Sequence, residues 1–492
     1  MSMRKSSTNI FKYGILIILV VVYLSVCSVT TSPFTGNFYG YDSAFFILVG
    51  KGMKYGRLPF RDFFDNKGPW LFVLEWIGQL IWEGKGGTFF LQLINLSLTT
   101  IIFDKILCMG LRKQSFWSLP LLFPSALSAV FSIGGGGLTE ELCLFPLSLC
   151  LLITIDYIDQ EIIAHSPRRA FVYGVCFGFV CLVRVTNAVL IGCCVLTVLI
   201  KLIVNKQWRN IAENALGFLL GFMTSALPIA VFFGMMGLLG EVINQAFVYA
   251  SSYAENASLL NGLVIMWNGW YRGALYPLLV GLVVSIVGFR RDPYLSLLYI
   301  FSTVLTCISV SIGGRNFEHY YVLFVPVVIM VPYMLSRLLI GSHNLLTKSV
   351  AVILACCFCL SYGKVFRLDK QFIRDAVMTE RKMVYENDII DASSCFNETN
   401  DVFCWTAQPR WYIYANQYPC IKYCGWFDTL VHADSEMETK IKTALREKPP
   451  QFFVLDKTFT FIPGFVNNLL EECYTESYQN DNFVVYKLTT MH

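Results

Sequence analysis

The sequence predicts a polytopic α-helical membrane protein with about eleven transmembrane helices and a small C-terminal α/β domain. Hydrophobic residues make up 55% of its 492 residues and charged residues only 15%, a balance far from that of a soluble globular chain. Apolar windows long enough to cross a bilayer recur as far as Tyr362. After Gly363 short apolar runs alternate with polar stretches. We therefore assign residues 1–363 to a transmembrane domain and residues 364–492 to the α/β domain.

The crossings are predicted from windows of about 20 mainly apolar residues. The candidate windows are 14–31, 88–109, 115–133, 141–158, 170–183, 187–204, 211–236, 271–289, 293–312, 319–335 and 346–362. The fifth is short, and if it forms a re-entrant hairpin with the sixth, two crossings are lost together. A further apolar stretch, 69–82, contains Trp70, Trp76 and Trp82. It is predicted to lie as a helix along the outer surface, since tryptophan favours the membrane interface.

Positive residues in the short loops determine the predicted orientation. With the N-terminus in the cytoplasm, all of these loop residues fall on the cytoplasmic side. They are Arg112, Lys113, Arg168, Arg169, Lys206, Arg209, Arg290, Arg291, Arg337 and Lys348. The first outer loop, 32–87, and the C-terminal domain are then extracytoplasmic.

The C-terminal domain is predicted from its alternating pattern. Apolar runs at 401–405, 451–455 and 482–486 indicate strands, and polar stretches such as 435–447 favour helices. The domain also contains five cysteines, Cys395, Cys404, Cys420, Cys424 and Cys473. In an oxidising compartment they can form at most two disulfides, and they serve equally well as reduced packing residues.

Charge and motifs exclude several classes of function. A net charge of +4, without a long basic run or zinc-type Cys/His spacing, does not support nucleic-acid binding. The four-glycine run 134–137 lacks the strand and the lysine of a phosphate-binding loop. No cofactor is predicted, and the requirement for a divalent metal is left open.

The first outer loop concentrates charge in a chain that otherwise has little. Asp42 follows Tyr41 a few residues beyond the first predicted span, at the bilayer boundary, where partial desolvation raises the basicity of a carboxylate. The segment 55–69, Tyr-Gly-Arg-Leu-Pro-Phe-Arg-Asp-Phe-Phe-Asp-Asn-Lys-Gly-Pro, adds further charges, among them Arg61 and Lys67. Asp42 is therefore a candidate general base, and the alternative is a solvated loop acid.

A Tyr-Asp pair after the first span, followed by the 55–69 segment and an interfacial helix, resembles the bacterial members of the GT-C superfamily. These are related to protein O-mannosyltransferases and to the transferase that adds aminoarabinose to lipid A. The resemblance runs over most of the chain and implies a GT-C-like fold. Asp42 corresponds to the family's first-loop catalytic aspartate, although the usual Asp-Glu pair is here Asp42-Ser43.

Two later segments extend the resemblance. A Thr-Glu-Glu motif at the start of the fourth span resembles the family's second outer-face acid, and Glu140 is the residue we choose from it. The segment 313–321 resembles the Arg/His-Tyr segment that opens a late helix in the family, and it contains Arg315, His319 and Tyr320.

The resemblance implies a glycosyltransferase. Such an enzyme moves a sugar from a polyprenyl-phosphate donor to a hydroxyl of a cell-envelope lipid, glycan or protein on the outer face of a bacterial inner membrane. Asp42 would take the acceptor proton, and Glu140 would be the second catalytic acid. Side chains at the membrane boundary would bind the substrates and stabilise the leaving phosphate. These candidates are Tyr41, Arg61, Lys67, Arg184, Arg315, His319 and Tyr320.

Structural roles compete with these assignments. Lys67 can snorkel at the interface, Arg184 can close a buried pair with a neighbouring helix, and His319 can be a satisfied residue at a helix start. Glu75 and Glu141 are expected to be structural. For the whole chain the alternative is a transporter or flippase, or a polysaccharide ligase, acting on lipid-linked glycans. A transporter is expected to show paired repeats and midplane charges, whereas here the charges gather at outer helix ends and no repeat is visible.

Overall fold

A computed structural model of the chain describes residues 2–35, 38–112, 116–122, 136–160, 162–251, 258–268, 275–314, 317–341, 344–378, 384–434 and 436–489. The chain divides into two compact units. The first unit contains Met1–Gly36, Phe89–Phe232 and Ala257–Met378. The second unit contains Asn37–Thr88, Phe233–Asn256 and Thr379–His492.

The regular secondary structure in the described residues of the first unit is helical. Its α-helices, or those lying largely in it, are Ser2–Cys27, Lys85–Leu111, Thr139–Leu142, Leu144–Asp159, Pro167–Cys181, Val189–Val204, Trp208–Met235, Leu259–Asn268, Leu275–Gly288, Pro293–Ser311, Val325–Val328, Met330–Gly341 and Leu345–Met378. Short 3₁₀ segments, Val185–Ala188 and Glu318–Phe324, precede two of them. Gly363 lies inside the last of these helices, and the predicted domain boundary at that residue stays a prediction.

Several of these helices can cross a membrane. Within the described residues, seven are long and apolar enough: Ile10–Cys27, Lys85–Leu111, Thr139–Asp159, Val185–Val204, Trp208–Met235, Pro293–Ser311 and His319–Gly341. Shorter apolar helices are Pro69–Ile81, Leu259–Asn268, Leu275–Gly288 and Leu345–Ser361. The predicted multi-pass helical architecture is confirmed, and the helix count is roughly consistent with the prediction. The predicted window 115–133 lies mostly outside the described residues, and 170–183 forms the 15-residue helix Pro167–Cys181.

The spans differ in how much of their surface is buried. In Trp208–Met235 only 22% of the most apolar window is buried, whereas in His319–Gly341 the figure is 83%. Near the end of this buried span, Arg337 pairs with Asp159 and, at 2.9 Å, with Asp292. One arginine therefore ties the buried span to the ends of two other helices.

The helix Pro167–Cys181 packs against the long helix that follows it through glycines. A Cβ on Gly174 would lie 1.9 Å from the carbonyl oxygen of Phe218, and one on Gly221 would lie 2.0 Å from that of Phe171. Only glycine permits so close an approach of the two backbones, as is common between membrane helices.

The second unit contains a four-stranded sheet. Its strands are β1 Val402–Trp405, β2 Phe452–Asp456, β3 Tyr474–Gln479 and β4 Phe483–Leu488. The order is β1-β2-β4-β3, in which β1 and β2 are parallel and the other neighbours antiparallel. The three predicted strands are confirmed as β1, β2 and β4. The sequence did not predict β3, because this edge strand is mostly polar and exposed.

The second unit also contains helices. They are Tyr41–Lys54, Pro69–Ile81, Leu239–Ile243, Val384–Ser393, Arg410–Tyr414, Phe427–Ala433, Met437–Glu447 and Gly464–Cys473, with a π-helical segment at Asn244–Tyr249. The predicted helix at 435–447 buries Met437, Ile441 and Leu445, whose spacing of four places them on one face. The five cysteines of the C-terminal domain carry free thiols.

The first outer loop packs against the C-terminal domain inside the second unit. The backbone N–H of Phe64 donates to the carbonyl of Lys422 at 2.8 Å, and the rings of Phe45 and Trp426 meet edge to face at 5.4 Å. These contacts connect the loop to the segment between β1 and β2. The predicted position of the helix Pro69–Ile81 on the membrane surface stays a prediction.

Candidate functional site

Asp42 lies in the first turn of the helix Tyr41–Lys54. Gly40 precedes it at the N-cap with extended backbone (φ −74°, ψ 178°), and no side chain caps the helix. The positive end of the helix dipole favours an ionised carboxylate at this position. Asp42 is half-buried, so part of its side chain stays accessible.

Asp65 is a second carboxyl group close enough to interact with Asp42. Its side chain is buried, and Lys67 is bonded to it twice, by the ammonium at 3.3 Å and by the backbone N–H at 3.1 Å, both at Oδ1. The other oxygen, Oδ2, is buried without a hydrogen-bond partner among the described residues. Burial raises the pKa of Asp65, Lys67 opposes this, and the charge of Asp42 adds to it. The surroundings of Asp65 therefore favour its neutral form.

Lys67 lies between this carboxyl group and aromatic rings. Its ammonium is 5.8 Å from the ring centroid of Phe46 and 5.7 Å from that of Trp426, distances within the range of a cation–π interaction. Its side chain is mostly buried, with 18% exposed. Lys67 is thus held inside the second unit by an acid and by two rings.

The segment that carries Asp65 is anchored by Gln245. The amide oxygen of Gln245 accepts from the backbone N–H of Asp65 at 3.3 Å, and its amide nitrogen donates to the carbonyl of Phe60 at 2.8 Å. Nearby, Arg61 forms a forked pair with Asp62, with its shortest bond at 2.8 Å. Arg61 is half-exposed, and in this arrangement it bonds its own neighbour.

Arg410 holds the residues that precede Asp42, and the sequence did not indicate this. Its guanidinium donates to the carbonyl of Tyr39 at 3.2 Å and lies 5.2 Å and 5.1 Å from the ring centroids of Phe38 and Tyr41. It also pairs with Glu386 at 3.5 Å, and both side chains are buried. No local pattern signals this role, because the carbonyl that Arg410 bonds lies 371 positions away along the chain.

Glu140 and Arg184 form the centre of a separate cluster in the first unit. Arg184 Nη1 donates to Glu140 Oε1 at 2.7 Å, and Thr139 donates to Glu140 Oε2 at 2.8 Å. The side chain of Glu140 is 1% exposed and that of Arg184 26%. A carboxylate this deeply buried needs such a partner.

The late-helix segment completes this cluster. The second nitrogen of Arg184, Nη2, donates to the hydroxyl of Tyr320 at 2.8 Å, and the guanidinium carbon lies 4.6 Å from the centroid of that ring. His319 Nε2 is 4.0 Å from Glu140 Oε2. Four residues that the sequence analysis selected from three distant segments therefore meet in one place.

Glu141 faces a different network from Glu140. Gln92 donates to both of its oxygens at 2.9 Å, and the backbone N–H of Gly137 donates at 2.9 Å. Gln92 also bonds Ser28 and Thr31 at the end of the first helix. These contacts favour the structural role expected for Glu141.

The remaining predicted site residues are distributed as follows. Tyr41 is exposed on one face and contacts Arg410, and Arg315 lies outside the described residues. Within the part of the chain that the structure describes, no group of three or more His, Cys, Asp or Glu side chains is placed to hold a metal ion. The catalytic and binding roles assigned from the sequence stay predictions.

Comparisons with known proteins identify the fold. No protein-family model and no curated protein sequence matches the chain. The structure of ArnT from Cupriavidus metallidurans in the apo state matches with a TM-score of 0.57 and 12% identity, over 98% of this chain and 98% of that chain. ArnT from the same organism bound to undecaprenyl phosphate matches with a TM-score of 0.54 and 12% identity, over 96% of this chain and 97% of that one. The predicted resemblance is confirmed at the level of fold: the chain has the GT-C membrane glycosyltransferase fold that ArnT adopts.

Proposed function

We propose that the protein is a glycosyltransferase that moves a sugar from a polyprenyl-phosphate donor to a hydroxyl acceptor on the outer face of a bacterial inner membrane. The observation that carries this proposal is the Asp42–Asp65–Lys67 cluster in a chain with the fold of ArnT. One of the ArnT structures is bound to undecaprenyl phosphate, which supports a polyprenyl carrier here.

The proposed reaction needs one base and one stabilised leaving group. The acceptor oxygen bonds to the anomeric carbon of the sugar as the bond from that carbon to the phosphate oxygen breaks. Asp42 takes the acceptor proton, which requires an ionised carboxylate. Burial favours the neutral form of Asp65. Asp42, half-buried at a helix N-terminus, is our candidate for the base.

The leaving polyprenyl phosphate gains negative charge and needs a cation more than an acid. Lys67 is our first candidate for that role, since it lies beside the carboxyl pair. In the other cluster the charge of Arg184 is balanced by Glu140. We propose that Glu140 orients Arg184 toward a substrate group and does not itself transfer a proton.

A double-mutant cycle tests this role of Glu140. If the acid acts through the arginine, Glu140→Gln and Arg184→Gln should each reduce kcat/KM, and the double variant should lose little more than either single variant. Transfer assays on the four purified proteins measure this. Independent, multiplying losses would show that Glu140 has a separate role and would restore its assignment as a catalytic acid.

The donor class is tested by reconstituting the purified protein in liposomes with a candidate acceptor. Matched sugars are offered on polyprenyl phosphate and on nucleotide. A nucleotide sugar would require a cytoplasmic binding domain of about 100 residues or more, and none of the predicted cytoplasmic loops is that long. We expect transfer from the polyprenyl-phosphate sugar only. Transfer from the nucleotide sugar alone, across several sugars, would contradict the proposal, and movement of the lipid-linked sugar across the bilayer without transfer would indicate a flippase.

A further inference from the structure

A cavity in the first unit belongs to neither cluster described above. Its volume is about 640 Å³, and it is lined by residues of the first helix, of Lys85–Leu111, of Leu144–Asp159 and of the start of Pro167–Cys181. Its charged lining residues are Lys12, Asp104, Lys105, Arg112, Asp156 and Arg169. Cations outnumber acids there by two.

The two acids are already engaged. Asp104 pairs with Lys12 at 2.6 Å, and it also accepts from Ser118. Asp156 pairs with Arg169 at 2.5 Å. Within the described part of the chain, no acid pairs with Lys105 or Arg112, and both are exposed. The excess positive charge of the cavity therefore resides on these two residues.

Part of the lining is apolar. Met109 on one helix, and Leu152 and Ile153 on another, line the cavity together with Tyr13. All of these residues belong to helices long and apolar enough to span the membrane. A binding site for a soluble anion requires only cationic side chains. This cavity has cationic side chains next to an apolar surface, which is the combination that a lipid requires.

We propose that this cavity binds the headgroup of an anionic phospholipid. Lys105 and Arg112 hold the phosphate, and an acyl chain lies along Met109, Leu152 and Ile153. The loop charges predict that this end of the helices faces the cytoplasm, and basic pockets between transmembrane helices on that side bind anionic headgroups. The site is independent of the proposed sugar transfer.

The proposal is tested by measuring which lipids stay bound to the purified protein. The purified full-length protein in detergent is titrated with dioleoylphosphatidylglycerol or with dioleoylphosphatidylcholine, and bound lipid is counted by native mass spectrometry. We expect preferential binding of one phosphatidylglycerol. Each basic residue near an anionic lipid surface contributes about 1 kcal/mol to lipid binding, so loss of two corresponds to about 25-fold in affinity. The double variant Lys105→Gln, Arg112→Gln should therefore bind phosphatidylglycerol about 25-fold more weakly.

A matched variant controls for general charge. Arg209→Gln with Arg290→Gln removes the same charge from exposed residues on the same predicted side, outside the cavity, and should leave the affinity nearly unchanged. An equal loss in this control, or equal binding of the two lipids by the wild-type protein, would overturn the proposal. Displacement of the lipid by soluble glycerol phosphate at similar concentration would also overturn it, since the site would then be one for free phosphate. The wild-type comparison of the two lipids does not depend on how any variant folds.

Discussion

Asp42 and Asp65 are carboxyl groups with different surroundings, and that difference assigns them different properties. Asp42 is half-buried at a helix N-terminus, where the dipole stabilises its charge. Asp65 is buried, and one of its oxygens has no hydrogen-bond partner among the described residues. Burial favours the neutral form of Asp65, and Asp42 is the residue that we propose as the base.

Asp42→Asn should abolish sugar transfer while leaving expression and donor binding nearly intact. The change keeps the shape of the side chain and removes its basicity. Loss of a general base typically lowers the rate by about 10² to 10⁴. Turnover of the purified variant and a separate donor-binding assay measure the two effects.

Glu83→Gln provides the matched control, because this acid lies in the same loop but pairs with Lys51 and Lys54. It should retain near-normal turnover. If Asp42→Asn is as active as this control, Asp42 is not the base.

Asp65 should make the stability of the protein depend on pH. Because its pKa is raised by burial, the folded protein holds this proton at pH values where the unfolded chain has lost it. Folding therefore becomes less favourable as the pH rises from the ordinary aspartate value through the raised pKa. The variant Asp65→Asn cannot titrate, so the wild type should lose thermal stability relative to it across that range.

The measurement is the unfolding temperature of both proteins at successive pH values in one detergent. Glu471→Gln, at an exposed position of the C-terminal domain, should follow the wild type. A difference between wild type and Asp65→Asn that is constant with pH would be inconsistent with a raised pKa at Asp65.

At the scale of elements, Arg410 links the helix Arg410–Tyr414 of the C-terminal domain to the residues just before Asp42. Arg410→Ala leaves Glu386 buried without its partner, and breaking a buried pair in this way costs about 3–5 kcal/mol. We expect the variant to unfold at a lower temperature. We also expect a protease to cleave the first loop and the C-terminal domain faster than it does in the wild type. Arg410→Lys keeps the charge but not the planar stacking, so it should recover only part of the loss.

Arg446→Ala is the control at this scale, since Arg446 is exposed on the helix Met437–Glu447. It should leave both measurements unchanged. Equal effects of Arg446→Ala and Arg410→Ala would mean that the contacts of Arg410 do not stabilise the loop.

Elements with strong local patterns could be predicted from the sequence, and those that depend on distant partners could not. The strand β2 follows from the run Phe-Phe-Val-Leu, and the helix Met437–Glu447 follows from the polar stretch between two apolar runs. The polar strand β3 is held by its pairing with β4, which no local pattern contains. Likewise, Glu140 and Arg184 were both selected, but their pairing across 44 positions arises only when the helices pack.

At the scale of the whole molecule, the charge pattern predicts that the first loop and the C-terminal domain lie on the same side of the membrane. Single cysteines at Phe34 and Asp481 should both react with a membrane-impermeant maleimide in cells whose outer barrier is opened. A cysteine at Arg209 should react only after the inner membrane is permeabilised.

This labelling needs a background in which the partly exposed native thiols of the C-terminal domain, Cys395 and Cys473, are replaced by serine. The unmodified background gives the baseline signal. Labelling of Phe34→Cys without Asp481→Cys, or the reverse, would refute the predicted orientation.

The burial of the span His319–Gly341 affects how the protein is made. Chains are synthesised from the N-terminus, so the earlier spans enter the bilayer before the helix that they surround exists. Until it arrives, Asp159 lacks Arg337, and an acid without its partner near the hydrocarbon is costly. The first unit therefore becomes stable only after this span has been synthesised. A chain that stops before residue 319 should be degraded by membrane proteases instead of persisting as a partly active fragment.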